Sequence, residues 1–198
     1  GKQIMFYVTQ EDMNELISLE LDDCKESMSK AVSFTESELT KIRAGKASPA
    51  MLDGISVDYY GSPTPLSQVS NINTTDARTI VIQPWEKQLI NAIEKAITDA
   101  NLGVNPQNDG IVIRLVIPAL TEERRRDLVR KAKEETEKGR VVVRNIRKET
   151  NESIKKLKND GASEDEIKVG EAEVQKLTDL FIAKVDKLAE LKEKDIMT

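Results

Sequence analysis

Residues 121–161 read TEERRRDLVRKAKEETEKGRVVVRNIRKETNESIKKLKNDG. Pro118 precedes the stretch, Thr121 can cap a helix, and Glu122 and Glu123 suit the positive end of a helix dipole. Apolar or small residues then follow at helical spacing: Leu128, Ala132, Thr136, Gly139, Val143, Ile146, Ile154 and Leu157. The pattern predicts one long amphipathic helix that stops at Asn159-Asp160-Gly161. Small residues in mid-stripe imply a close neighbouring helix, which makes Gly139 a packing position rather than a hinge. A helix with a single apolar stripe is not stable alone in water, so partners are required.

Two partners can be read outward from it. Upstream, Asn14 to Ala44 carries Ile17, Leu21, Cys24, Met28, Ala31, Thr35, Leu39 and Ile42, with Gly45 as the stop. At ~1.5 Å per residue this rod is about 45 Å long. Cys24 lies in the stripe and is expected in the core rather than in redox chemistry. Downstream, Ser163-Glu164-Asp165-Glu166 is a capping box, followed by Ile167, Val174, Leu177, Phe181, Val185, Leu188 and Leu191. Three one-striped helices can bury their stripes together as a bundle.

Between the first two helices the pattern changes. Ile55–Tyr60, Gln68–Ile72, Thr79–Ile82 and Ile111–Ile117 are short β-prone runs. Gly61-Ser62-Pro63-Thr64-Pro65 reads as a rigid turn. One helix is expected from Glu86 to Asn101, with Leu89, Ile90, Ile93, Ala96 and Ile97 on its apolar face and Gly103 as its stop. The expected fold class is α+β. Residues 13–44 and 120–198 form the three-helix bundle, and 45–119 form an inserted small β/α/β domain. The chain crosses between them twice, at Ala44-Gly45 and at Pro118-Ala119, so those four residues are the candidate hinge.

Composition narrows the function. The 198 residues include no histidine and one cysteine, which excludes a histidine base, a zinc–histidine site and an internal disulfide. No phosphate-binding or dinucleotide glycine motif occurs, so neither enzyme chemistry nor a cofactor is expected. No apolar run approaches ~18 residues, so no membrane span is expected. Ile4 to Val8 is too short for a signal peptide core, which leaves a cytoplasmic reading. Met13 could serve as a start, making residues 1–12 an extension or a cloning remnant.

The net charge is −5, yet Arg124 to Lys148 holds eleven Lys/Arg against four Asp/Glu. With Leu128 set at zero and ~100° per residue, Arg126, Arg130, Lys133, Arg140 and Arg144 fall between about 120° and 200°. Arg147 lies at the shoulder, Lys148 adjoins it, and Glu137 interrupts the row. From Lys138 to Lys148 there is no acid, so local pairing is not expected to consume the charge. Arginine dominates this half, and its fork matches phosphate geometry. A basic face on an acidic protein points to RNA or another polyanion. Arg43 and Lys46 add charge after the first helix, where a cation also suits the helix dipole. Two rival readings remain. A helical adaptor would expose an apolar seam. An enzyme would have to use Asp53, Asp58, Tyr59 and Tyr60, the one suggestive polar cluster of the small domain.

Several motifs carry a resemblance. They are Lys41-Ile-Arg-Ala-Gly-Lys-Ala-Ser-Pro49, Leu52-Asp-Gly-Ile55, Tyr59-Tyr-Gly-Ser-Pro-Thr-Pro-Leu66, Leu102-Gly-Val-Asn-Pro106, Pro118-Ala-Leu-Thr-Glu-Glu-Arg-Arg125 and Val143-Arg-Asn-Ile-Arg147. In this order, from Met13 onward, the chain resembles the ribosome recycling factor family. The resemblance implies an L-shaped, non-enzymatic monomer that binds the post-termination ribosome through large-subunit rRNA. It implies that elongation factor G, with GTP on that partner, then drives subunit separation and release from mRNA. By the same resemblance Arg144 and Arg147 face rRNA, with Arg43 a further site residue. Lys46 stands where the family usually has arginine, which keeps the charge and loses the fork. With the basic face, the expected rRNA-binding set is Arg144, Arg147, Arg140, Lys148, Lys133, Arg130, Arg126, Arg125, Arg43 and Lys46.

Overall fold

The computed structural model describes residues 9–198. Residues 1–8 of the segment 1–12 read as an extension therefore lie outside the described residues. The chain divides into two compact units: one takes the chain up to Ile42 and Arg125–Thr198, the other Arg43–Arg124.

The first unit is built on three helices, α1 (Gln10–Thr40), α3 (Glu122–Lys156) and α4 (Glu164–Met197). α1 begins four residues before the expected Asn14, because Thr9 and Asp12 form a capping box. It also ends before Gly45. Ile42 N–H turns back to Leu39 O at 3.1 Å, which tightens the last turn into a stop. α3 starts as expected, with the Thr121 hydroxyl accepting Arg124 N–H at 3.1 Å. A short 3-10 turn, Leu157–Asp160, closes it, and Gly161 adopts φ 104° beyond. The Ser163 capping box is present at the start of α4.

The stripes meet in one core that includes Met13, Ile17, Cys24, Met28, Val143, Ile154, Val174 and Phe181. Cys24 is buried there, and burial pushes its thiol up, which keeps it protonated and inert. Leu191, expected inside, is 52% exposed, while Ile196 is 1% exposed. A straight helix drifts ~20° per heptad, so a stripe counted at three and four rotates out of register near a long helix's end. Thr136, Thr150 and Thr178 are buried among the apolar residues. Thr136 and Thr178 return their hydroxyls to carbonyls one turn back, which satisfies them locally.

Gly139 packs as expected: a β-carbon there would overlap Thr35 Oγ1 of α1. Gly139→Ala is expected to destabilise this unit. Overpacking costs ~1–3 kcal/mol, more than the ~1 kcal/mol gained in helix propensity. Urea denaturation checks it, and adding Thr35→Ala should recover part of the loss.

The second unit contains two sheets and one helix, α2 (Ile90–Asp99). β1 (Ser56–Tyr59) and β2 (Ser62–Pro65) pair as a hairpin, so the expected turn over 61–65 is mostly strand. The turn itself is Tyr60-Gly61, with φ 50° and 84°. Positive φ at both residues is the tight hairpin turn whose twist suits its strands. Pro63 and Pro65 stand opposite Asp58 and Ser56, two residues apart on one strand edge. That edge needs no N–H from them. The larger sheet is antiparallel, ordered β3 (Ser70–Asp76), β4 (Thr79–Pro84), β6 (Ile113–Val116), β5 (Gln107–Asn108). Ile80, Ile82, Ile113 and Leu115 pack from it onto Ile90, Ile93 and Ile97 of α2.

Two turns of this unit depend on carboxylates. Asp76 accepts from Arg78 N–H at 2.8 Å, and Asp109 from Ile111 and Val112 N–H at 2.9 and 2.8 Å. These bonds hold both carboxyls below the ordinary aspartate range. A depressed folded-state value contributes stability that is complete above the ordinary value and lost as pH falls through the depressed one. Urea midpoints should therefore fall from neutral pH toward about pH 3. Asp76→Asn with Asp109→Asn should flatten that slope.

Candidate nucleic-acid interface

α3 carries the basic face in the first unit. From Arg126 to Lys148 it runs about 33 Å at ~1.5 Å per residue. Arg130, Lys133, Arg144 and Lys148 are exposed, while Arg125 and Arg147 are half-buried. Among the described residues, Lys133, Arg147 and Lys148 have no ion pair. Arg130 is held only loosely, 3.5 Å from Asp127.

Two expectations need correction. Arg140 does not stand opposite the buried stripe in open solvent. Its side chain is only 22% exposed, and its Nε donates to Asp186 of α4 at 2.8 Å. A helix in a three-helix bundle touches two neighbours, so its contact arc is wider than one stripe, and a residue at about 120° meets the second neighbour. Nor is the charge free of local pairing. Glu137 accepts from Arg140 and from Arg144, each at 3.2 Å. The two guanidiniums hold the Glu137 carboxyl below its ordinary range, Arg144 contributing most. Lys138 pairs with Glu135 at 3.3 Å. Counting charges in a window could not find Asp186, which lies 46 residues away in sequence.

What remains is a graded face. Arg140 is committed to the bundle. Arg144 is half-exposed and shared with Glu137. Arg147 and Lys148, one turn further on, offer unpaired cations. Val141, 44% exposed, lies among them and was not anticipated. Arg43 and Lys46 belong to the other unit.

In the rival polar cluster of the small domain, the two tyrosines are engaged with Glu86. Tyr59 OH donates to Glu86 Oε1 at 2.9 Å and Tyr60 OH to Oε2 at 3.3 Å, bracing the hairpin. Asp53 and Asp58 take no part in those bonds. Among the described residues no group of three His, Cys, Asp or Glu could hold a metal ion. Among them, too, no helix is long and apolar enough to cross a membrane.

A discontinuous helical bundle with an arginine-bearing helix face and an inserted sheet unit defines the class of fold. The chain belongs to the ribosome recycling factor family, whose model, "Ribosome recycling factor", matches residues 35–197. It is 59% identical over 184 residues to the ribosome-recycling factor of Cytophaga hutchinsonii, covering 93% of this chain and 99% of that one. It is 56% identical to that of Flavobacterium psychrophilum, covering 93% and 99%. A solution structure of the ribosome recycling factor matches with TM-score 0.69 and 44% identity, over 91% of this chain and 97% of that one. A further structure is described as models for the T. thermophilus ribosome recycling factor and the E. coli elongation factor G bound to the E. coli post-termination complex. It matches at TM-score 0.58 and 45% identity, over 92% and 99%.

Proposed function

We propose that this chain recycles ribosomes after termination by docking the α3 face on large-subunit rRNA. The observation that carries the reading is the adjacent pair Arg147 and Lys148, without an ion pair among the described residues, beside half-exposed Arg144, whereas Arg140 and Lys138 on the same helix are paired. An unpaired guanidinium at a surface that must meet phosphate avoids the cost of breaking an internal bond first. Lys133, Arg130, Arg126 and Arg125 extend the contact. Arg43 and Lys46, which belong to the sheet unit, are separate candidate contacts to rRNA.

The chain carries out no chemical step in this scheme. Elongation factor G hydrolyses GTP, and this chain contributes by binding separated subunits better than joined ones. A ligand moves an equilibrium only by such a difference in affinity. The hinge is Ala44, Gly45, Pro118 and Ala119. Gly45 at φ 70° abuts Leu120, so the two crossing segments lie side by side within the sheet unit. A polysome-breakdown assay with matched elongation factor G and GTP tests the reading. Wild type should convert polysomes to free subunits, and Arg147→Ala should be impaired at equal concentration. Equal activity of the two would count against it.

Glu137 competes with rRNA for Arg144, so Glu137→Gln should tighten binding to large subunits roughly three- to tenfold at moderate salt. Weaker binding of that variant would show that Glu137 positions the arginines instead.

One observation favours a second reading. Phe34 is 66% exposed and Val142 46% exposed. With Ala31 they line an apolar groove of about 350 Å³ between α1 and α3. That is the seam a helical adaptor would offer. Its binding would be nearly independent of salt, whereas phosphate contacts weaken steeply with it.

A further inference from the structure

The free edge of β3 and the groove beside it belong to the sheet unit and play no part in the rRNA reading. Among the described residues β3 is terminal in its sheet and pairs with β4 alone. Trp85 N–H donates to Val69 O at 3.0 Å, one step beyond the pair Ser70 and Pro84. In an antiparallel ladder, residues that bond to the partner alternate with residues that face away. This phase turns Asn71 and Asn73 toward β4. The N–H and C=O groups of Ser70, Ile72 and Thr74 then face the open edge. Pro84, which has no N–H, occupies the non-bonded position opposite Ser70, as the phase requires. Among the described residues, none of the turn and loop backbone bonds reaches Ser70, Ile72 or Thr74.

Proteins usually guard such an edge with charge, proline or a bulge. From Ser70 to Thr75 this strand carries no charge and no proline, and its register shifts only after Thr74. A groove of about 410 Å³ runs beside it, between Ile72 and the Asp53-Gly54 turn. Trp85, 60% exposed, forms part of the wall. Asp53 is the one charged residue of that lining. It is exposed and has no ion pair among the described residues. Among the described residues no cation lines the groove, which disfavours phosphate and nucleic acid. A lone carboxylate and an open indole face both attract Lys or Arg.

We propose that this edge binds an extended basic peptide segment of a partner protein, which adds to β3 as a further strand. The guest backbone would pair with Ile72 and Thr74, and its Lys or Arg side chains would meet Asp53 and Trp85.

Trp85 is the only tryptophan, so its fluorescence reports on the groove directly. The probe is an end-blocked Lys-Val-Lys-Val-Lys-Val peptide, titrated into the full chain with amide exchange followed by NMR. Saturable change at Trp85, with slowed exchange at Ile72 and Thr74, is the expected result. N-methylation of alternate probe amides should abolish binding. Asp53→Lys should weaken it at least about tenfold. Thr74→Pro removes an outward N–H and should also weaken it. If that variant misfolds, Asp53→Lys at an exposed turn still decides. Equal binding of a Glu-Val peptide, or a fluorescence change without exchange protection, would overturn the proposal. So would occupation of the edge by a second copy of the chain, or protection by an RNA oligonucleotide but not by the peptide.

Discussion

Val143→Asp is expected to unfold the helical unit. Val143 is 0% exposed at the middle of α3, inside the core shared with Met28, Val174 and Phe181. Its neighbours in that core offer no cation and no spare donor. An ionised carboxylate there is desolvated without compensation, and a protonated one still leaves polar atoms unmet. The cost should exceed about 4 kcal/mol, a large share of the roughly 5–15 kcal/mol that stabilises a domain. Val143→Ala should cost only ~2 kcal/mol, from lost contacts and a small cavity. Val141→Asp, two residues away and 44% exposed, should stay within ~0.5 kcal/mol of wild type. Far-UV circular dichroism against urea separates the three. A cooperative, wild-type transition for Val143→Asp would mean that α3 does not bury this face.

The second large effect concerns binding without unfolding. Arg144→Ala and Arg147→Ala should each weaken large-subunit binding by ~1–3 kcal/mol, roughly 5- to 150-fold, the worth of a charge-assisted hydrogen bond. Arg144 is half-exposed and, among the described residues, its only ion pair is with Glu137, so its loss leaves the core intact. Arg147 is half-buried, and truncating its stem removes some packing along with the charge. Melting curves therefore accompany the affinity measurement, and both variants should keep their cooperative transitions. Lys168→Ala on α4 serves as a basic control and should bind normally. Arg140→Ala should behave differently, losing stability through Asp186 more than affinity. Unchanged affinity in both Arg144→Ala and Arg147→Ala would remove them from the interface.

Much of the helical unit could be read from residues alone because its signals are local. The Ser163 capping box, the Thr121 cap and the Gly161 stop each act within one turn. The Gly139 contact was legible because a glycine in mid-stripe has no other use there. The sheet unit was less legible. β2 contains two prolines in four residues, which propensity scores as a turn. It forms a strand because its partner β1 needs no N–H from either proline. β5 has two residues and exists only through β6. Within the site, residue type and helical angle located the basic face. They could not show that Asp186 and Glu137 take up Arg140, because that depends on which helix packs beside α3.

Binding of the purified chain to isolated large ribosomal subunits, titrated with salt, tests most directly whether α3 grips RNA. Affinity at low ionic strength should be strong and should fall linearly on a log–log plot, with a slope that shrinks by about one for each of Arg144 and Arg147 removed. Absence of binding at low salt, or an affinity that salt leaves unchanged, would contradict docking through this helix face.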